Sequence, residues 1–176
     1  MFSIDAKFAI KKITTIVMDI DGVLTDGTFG YDGRGEEIKF FNARDGHAIK
    51  LALRLGMNVG CLSGRGSAAN KKRAEELTLS FLYENIKDKK VGFNALLDDL
   101  NISAEECLYI GDDLVDIPPM KMAGVAATVA DAPEYLDEFC DIRSTLSGGR
   151  GAVREIIELL LKEQNKWNQI TEKYFA

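Results

Sequence analysis

The feature of this sequence that most constrains its fold is a repeated alternation between short apolar runs and segments with helical spacing. Apolar runs of strand length occupy residues 14–20, 57–62, 79–83, 107–110 and 125–129. Apolar residues recur every three or four positions, as in a helix with one buried face, in the segments 45–55, 66–77, 88–100, 114–123, 133–139 and 151–164. Because strands that alternate with helices form parallel sheets, we predict an α/β fold: a Rossmann-like parallel sheet flanked by helices on both faces.

One segment departs from this alternation. Residues 27–41 alternate between apolar and polar side chains around Tyr31-Asp32-Gly33, which predicts a β-hairpin. The chain has 176 residues, of which 46% are hydrophobic, and this size suits a single compact domain. We therefore expect one domain over residues 1–165, with a hairpin flap at about 27–41, followed by a C-terminal tail at 166–176.

Composition narrows the range of partners. A formal net charge of −6 argues against nucleic acid or an anionic membrane as the main partner. A small anionic ligand remains compatible, because a single site can be locally basic. No apolar run approaches the ~20 residues of a membrane span, and the N-terminus lacks the order of a secretion signal, so the expected location is cytoplasmic. The three cysteines are widely spaced and predicted to be reduced; they are Cys61, Cys107 and Cys140.

Carboxylates follow two of the predicted strands. Asp19 and Asp21 leave the first strand on alternate positions of an extended chain, so both can face one point. Gly111-Asp112-Asp113 follows the strand at 107–110, and Asp116 comes three residues later. Parallel sheets bind ligands at the carboxyl ends of their strands, where so many like charges need a cation. Oxygen ligands suit Mg²⁺, although any one of these residues alone is equally compatible with a helix cap.

Two further motifs supply positive charge and N–H groups. Ser63-Gly64-Arg65-Gly66 lies at a strand-to-helix junction, where backbone N–H groups can hold an anion. In Lys87-Asp88-Lys89-Lys90, one lysine can reach the same crevice. Alone, the first motif could be a helix cap and the second a solvated charge run. Together with the carboxylates they predict phosphoryl transfer, in which a carboxylate attacks phosphorus and forms an aspartyl-phosphate.

The order of these motifs, DxD, Ser, Lys and GDDxxD, resembles the haloacid dehalogenase superfamily of phosphatases over residues 13 to 154. The short segments between the motifs imply a member without a cap domain. The resemblance implies Mg²⁺ as the cofactor and assigns the following roles: Asp19 as nucleophile and metal ligand, Asp21 as general acid/base with its carbonyl on the metal, Ser63, Gly64 and Lys89 as phosphate ligands, Lys89 also as a catalytic residue, Asp112 as metal ligand, and Asp113 and Asp116 as supports of the metal site.

Longer motifs resemble one subgroup of that superfamily, the 3-deoxy-D-manno-octulosonate 8-phosphate (KDO 8-phosphate) phosphatases. They are DGVLTDG, FNARDGHAIK, SGR, GDDLVDIP, ADAP and GGRGAVRE. The resemblance implies a small anionic sugar-phosphate substrate, a role in lipopolysaccharide precursor synthesis and a homotetramer. The substrate carboxylate would need cations beyond the phosphate site, and arginine binds carboxylates in a two-point contact. The substrate-binding candidates are Arg65, Arg44 and Arg150.

Three alternatives stay open on the sequence. The substrate could be a nine-carbon keto-acid phosphate, either 2-keto-3-deoxy-nononate 9-phosphate or N-acylneuraminate 9-phosphate, although related enzymes for these acids often carry Glu at the position of Arg65. A receiver-type phospho-acceptor domain uses similar residues, but it places its phosphorylated Asp on the third strand. A catalytically inactive relative is disfavoured, because every motif residue is present.

Overall fold

The computed structural model of the protein describes residues 8–175, and its centre is a six-stranded parallel sheet. The strand order is β5-β4-β1-β6-β7-β8, and every pairing in it is parallel. The strands are β1 (Thr15–Met18), β4 (Asn58–Leu62), β5 (Phe81–Tyr83), β6 (Cys107–Ile110), β7 (Val125–Thr128) and β8 (Ile142–Arg143). The predicted α/β fold class is confirmed.

Helices flank this sheet and cover its apolar side chains. They are α1 (Ala43–Arg54), α2 (Ala68–Leu77), α3 (Lys89–Leu100), α4 (Ile117–Met122), α5 (Ala152–Glu163) and α6 (Trp167–Thr171). Helix α1 packs against α5, and α3 packs against α4. All of β1 and β6 is buried, because both strands lie in the middle of the sheet. This packing explains the continuous apolar runs of these strands, which have no solvent-facing side.

The structure differs from the prediction at short elements, where few residues show the periodicity of a helix or a strand. The predicted helix at 114–123 divides into a 3₁₀ turn (Leu114–Asp116) and α4, because Asp113 caps the turn and Pro118 lies in the first turn of a new helix. The predicted helix at 133–139 is a 3₁₀ helix (Glu134–Glu138). Strand β8 was not predicted, since two residues show no periodicity.

The hairpin forms where the alternation predicts it. Strands β2 (Gly30–Tyr31) and β3 (Glu37–Ile38) pair antiparallel. Asp32 closes the turn by accepting hydrogen bonds from the backbone N–H groups of Arg34 and Glu36, at 2.8 and 2.9 Å. Within residues 8–175, this hairpin is all that separates the first carboxylate motif from α1, and no cap domain is evident.

The C-terminal segment is folded in the part of the chain that the structure describes. Helix α6 and a 3₁₀ turn (Glu172–Tyr174) continue beyond α5. Trp167 packs against the core, with the guanidinium of Arg154 5.5 Å from the centre of its ring. Between residues 8 and 175, no helix combines the length and the apolar character that crossing a membrane requires.

Candidate active site

The candidate site lies where the connections of the sheet change direction. The chain runs from β1 outward to β4 and β5, and then returns to the other side of β1 as β6. Met18 therefore lies beside Ile110 in the register of β1 and β6. Asp19 and Asp112 leave these adjacent strands, and the diverging connections open a crevice above them.

A buried lysine joins the first carboxylate to the last motif. Lys89 begins α3, behind its N-cap Asp88. Its Nζ lies 2.9 Å from an oxygen of Asp19 and 2.6 Å from an oxygen of Asp116. Burial alone would lower the pKa of Lys89, but the carboxylates of Asp116 and Asp19 raise it above the usual value. Lys89 is therefore the cation within reach of Asp19.

Asp116 uses both of its oxygens within the protein. Oδ1 accepts hydrogen bonds from Lys89 at 2.6 Å and from the hydroxyl of Tyr109 at 2.7 Å. Oδ2 accepts from the backbone N–H groups of Asp112 and Asp113 at 3.2 and 3.3 Å. With four donors around one fully buried carboxylate, Asp116 has little capacity left for a metal ion. It instead fixes Lys89 and the Gly111–Asp113 loop.

The remaining carboxylates carry more negative charge than Lys89 can offset. Burial and the neighbouring Asp116 raise the pKa of Asp19 to about 6, although Lys89 acts in the opposite direction. Burial and the charges of Asp19 and Asp116 raise the pKa of Asp112 to about 8. Oxygens of Asp19, Asp112 and Asp116 lie within 4.8 Å of one another. This group of hard oxygen donors fits Mg²⁺, and Asp19 and Asp112 are the members whose carboxylates could hold it.

A glycine that the sequence reasoning did not single out makes room for Asp112. Gly22 has φ +97, and a Cβ atom there would stand 1.9 Å from a carboxylate oxygen of Asp112. Any other residue would therefore be strained and would also displace Asp112. The glycine that directly follows the DxD motif was the available signal for this close approach.

Ser63 and Gly64 lie at the adjacent strand end. Ser63 is buried at the end of β4, and its Oγ accepts a hydrogen bond from the backbone N–H of Arg65 at 3.2 Å. Gly64 follows it as an exposed residue. Glu84, which the sequence reasoning missed, binds the backbone N–H of Ser67, the N-cap of α2, at 3.0 Å. Glu84 thus fixes the loop that carries Ser63 and Gly64.

The hairpin contributes a buried lysine that was also missed. Lys39 follows β3, and its side chain is fully buried. Its Nζ lies 2.6 Å from Oδ1 and 2.9 Å from Oδ2 of Asp21. An oxygen of Glu37 lies 3.5 Å from the same ammonium. The second carboxylate of the DxD motif is therefore paired with the hairpin rather than with Lys89.

The structure places the three predicted substrate-binding arginines in two regions. The guanidinium of Arg65 lies 4.3 Å from the centre of the Phe29 ring and is hydrogen-bonded to Glu37. Arg44 and Arg150 line a cavity of about 510 Å³. There Arg150 pairs with Asp26 at 2.9 Å. Arg65 therefore adjoins the hairpin and the Ser63 loop, whereas the other two line a cavity that Arg65 does not line.

Asp113 turns away from the carboxylate cluster. Its Oδ1 accepts hydrogen bonds from the backbone N–H of Leu114 and from the hydroxyl of Tyr135, both at 2.7 Å. It caps the 3₁₀ turn that precedes α4. Its predicted support of the metal site would act through the loop rather than through direct contact.

The fold and this site define a haloacid dehalogenase-like hydrolase, in which residues 8–175 form no cap domain. The sequence pattern of the family described as haloacid dehalogenase-like hydrolase matches residues 78–157. This match includes Lys89 and the GDDxxD motif. The DxD motif and Ser63 lie outside the matched residues.

Relatives over nearly the whole chain give the family more closely. The 3-deoxy-D-manno-octulosonate 8-phosphate phosphatase KdsC of Escherichia coli is 38% identical over 167 residues, which are 95% of this chain and 89% of that protein. The Salmonella typhi enzyme of the same name is 39% identical over 159 residues, 90% of this chain and 85% of that protein. The chain therefore belongs to the 3-deoxy-D-manno-octulosonate 8-phosphate phosphatase family of haloacid dehalogenase-like hydrolases.

Solved structures agree with this family. The Moraxella catarrhalis 3-deoxy-D-manno-octulosonate 8-phosphate phosphatase, crystallised with a magnesium ion, a phosphate ion and KDO, is 34% identical. It superimposes with a TM-score of 0.92 over 96% of this chain and 97% of that chain. A cobalt-bound Haemophilus influenzae enzyme of the family is also 34% identical, with a TM-score of 0.90 over 96% of this chain and 99% of that chain.

Proposed function

We propose that this protein is a Mg²⁺-dependent phosphatase that hydrolyses KDO 8-phosphate to KDO and phosphate, in lipopolysaccharide precursor synthesis. The observation that carries the chemistry is the contact of 2.9 Å between Lys89 and Asp19, beside Asp112. A nucleophilic carboxylate, a cation that offsets the charge of a phosphate and a metal-binding carboxylate are thereby brought together. Membership of the family supports the substrate.

In the first step, a carboxylate oxygen of Asp19 attacks phosphorus and the bond from phosphorus to the sugar oxygen breaks. Asp21 donates a proton to the departing sugar oxygen, so that an alcohol leaves and an aspartyl-phosphate remains on Asp19. Ser63, the backbone N–H of Gly64 and the ammonium of Lys89 hold the phosphoryl oxygens. Asp116 keeps Lys89 in place through their contact of 2.6 Å.

In the second step, Asp21 takes a proton from water, and that water attacks the phosphorus of the aspartyl-phosphate. The bond to Asp19 breaks and phosphate is released, which restores both carboxyl groups. Asp19, Asp112 and the backbone carbonyl of Asp21 would hold Mg²⁺. When bound, Mg²⁺ supplies positive charge that reduces the repulsion between the anionic nucleophile and the phosphate.

The substrate carboxylate gives Arg65 its proposed role. The Arg65 guanidinium is already hydrogen-bonded to a carboxylate, that of Glu37, in this structure. The substrate carboxylate would take the place of Glu37 on the same donors. Arg44 and Arg150 remain proposed substrate ligands, from the cavity that they line.

The test is phosphate release from KDO 8-phosphate, measured with Mg²⁺ and with a chelator. The comparison substrates are 2-keto-3-deoxy-nononate 9-phosphate, N-acylneuraminate 9-phosphate and a hexose phosphate. We expect a Mg²⁺-dependent kcat/KM that is highest for the eight-carbon acid. A higher kcat/KM for a nine-carbon acid would overturn the proposed substrate. Equal kcat/KM values for all four substrates would show that the protein does not recognise the acid group.

We further propose that the protein acts in the cytoplasm as a homotetramer. Several apolar side chains of the hairpin are exposed in the single chain, as a subunit contact requires; they are Phe29, Tyr31, Ile38 and Phe40. Light scattering coupled to size-exclusion chromatography tests the assembly. A mass near the 19.4 kDa of one chain would overturn it.

A further inference from the structure

We infer that Lys39 is a positioning residue for the acid–base step: it anchors the Asp21 carboxylate from the hairpin. The inference rests on the proposed function, because that function assigns proton transfer to Asp21. The proposed role of Lys39 differs from that of Lys89, which contacts the proposed nucleophile Asp19. The hairpin would thereby supply a residue that acts in the reaction, in addition to forming one side of the active site.

The first argument is the way in which the ammonium meets the carboxylate. Lys39 Nζ donates a hydrogen bond to Asp21 Oδ2 at 2.9 Å. It also lies 2.6 Å from Oδ1, which is buried. Because Oδ1 is buried while the Asp21 side chain as a whole keeps 18% exposure, we take Oδ2 as the oxygen that meets the substrate. The lysine thus fixes which oxygen of Asp21 faces the leaving group.

The second argument is the burial of Lys39, because a lysine without a role inside the protein would be exposed at the surface. Its side chain has 0% exposure, and most lysines are kept at the surface by the cost of removing an ammonium from water. The charge of Asp21 offsets that cost, and Glu37 adds a second carboxylate at 3.5 Å. A lysine that only fastened the hairpin would not need to lie against both oxygens of the proposed acid–base residue.

The third argument is the continuity of the charged groups. Glu37 contacts Lys39 and is also hydrogen-bonded to Arg65. A single strand, β3, and the residue after it therefore connect the Asp21 carboxylate to the arginine proposed for the substrate carboxylate. The position of the hairpin determines both contacts at once.

The experiment is a double-mutant cycle between Lys39→Met and Asp21→Asn, in full-length protein with Mg²⁺. Lys39→Met alone should lower kcat by at least ~10-fold, part of the 10²–10⁴-fold typical of acid–base catalysis, while KM changes by less than about 3-fold. In the Asp21→Asn background, the same substitution should lower kcat by less than about 3-fold. Such non-additivity indicates that Lys39 acts through Asp21.

Two controls separate positioning from stability. Lys12→Met removes a lysine that pairs with Glu105 at 3.6 Å near the amino ends of β1 and β6, opposite the carboxyl ends that carry the site, and it should leave kcat unchanged. Asp32→Ala loosens the hairpin turn without touching Asp21, so its effect should be equal in both backgrounds. If Lys39→Met does not fold, as judged by circular dichroism, Lys39→Gln enters the same cycle.

Equal losses from the Lys39 substitution in both backgrounds would overturn the inference, as would a kcat within about 2-fold of the unsubstituted protein. Failure of the proposed function is a separate result. If the unsubstituted protein does not hydrolyse KDO 8-phosphate, that function falls. The cycle is then measured with whichever comparison sugar phosphate the protein hydrolyses, because its alcohol leaving group needs the same proton from Asp21.

Discussion

At the residue scale, the two carboxylates of the DxD motif, Asp19 and Asp21, have different partners. Asp19 is held by Lys89, which Asp116 fixes in turn, whereas Asp21 is held by Lys39 from the hairpin. Two chemically identical side chains therefore receive different surroundings, as their proposed roles in attack on phosphorus and in proton transfer require.

Replacing the proposed nucleophile tests this division directly. Asp19→Asn should lower kcat by at least about 10³-fold, because an amide cannot form the acyl phosphate. Steady-state phosphate release measures the loss. Asp98→Asn is the matched control, since Asp98 is exposed on α3 and its loss should change kcat little. Phosphate release by Asp19→Asn at a rate close to that of the control would exclude Asp19 as the nucleophile.

At the scale of elements, the hairpin and the Ser63 loop meet through Glu37 and Arg65. Arg65→Ala should raise KM for KDO 8-phosphate by roughly 10- to 100-fold, the range of one or two charge-assisted hydrogen bonds. The KM for p-nitrophenyl phosphate, which lacks a carboxylate, should change by less than about 3-fold. Arg54→Ala, at the exposed end of α1, is the control. A similar rise in KM for both substrates would place Arg65 at the phosphate instead.

Helices α1 and α5 are joined by a carboxylate that the sequence places far from its partners. Asp45 in α1 is buried and accepts hydrogen bonds from the backbone N–H groups of Gly151 and Arg154, at 3.2 and 2.7 Å. It therefore caps the start of α5 from a distant part of the chain. Burial raises the pKa of Asp45, although these two hydrogen bonds and two nearby arginines oppose the shift.

Removing this cap should destabilise the fold without altering the chemistry. Asp45→Ala would leave two N–H groups of α5 without their acceptor, and we expect the free energy of unfolding to fall by about 1–3 kcal/mol. Urea denaturation followed by circular dichroism measures the change. Asp137→Ala, which removes an exposed carboxylate paired with Arg143, should cost less than about 1 kcal/mol. Equal losses for the two variants would contradict the capping role.

At the scale of the whole molecule, the acidic cluster links metal binding to stability. The pKa of Asp112 is raised to about 8, so the folded metal-free protein binds a proton there that the unfolded chain has released above its ordinary pKa of 3.8. This contribution to stability is complete below pH 3.8 and is lost as the pH rises through about 8. The raised pKa of Asp19 has the same sign and is lost through about pH 6.

Because Mg²⁺ replaces the missing protons, it should stabilise the protein more at high pH than at low pH. We expect the rise in Tm on adding Mg²⁺ to be larger at about pH 8 than at about pH 5. Differential scanning calorimetry with Mg²⁺ or a chelator measures both values. Asp112→Asn should remove most of the Mg²⁺ effect. A Tm increase that is the same at both pH values would contradict the assignment of Asp112 to the metal.

Much of the fold and site could be predicted because the signals are local. The buried strands are continuous apolar runs, and the order of strands and helices alone implies a parallel sheet. The carboxylates, Ser63 and Lys89 were predicted to meet because each follows or adjoins a strand end. Strand β8 was missed, and the helices predicted at 114–123 and 133–139 were misassigned, since so few residues carry no reliable period.

The α/β class, the hairpin and the set of residues at the strand ends follow from periodicity and motif order, which are properties of the chain alone. The pairing of the charges follows only from the three-dimensional arrangement. Asp116 binds Lys89 and Tyr109, Lys39 binds Asp21, and Arg150 binds Asp26. Most of these contacts join residues far apart in the sequence, and for buried charges the partner must be found in three dimensions to offset the cost of leaving water.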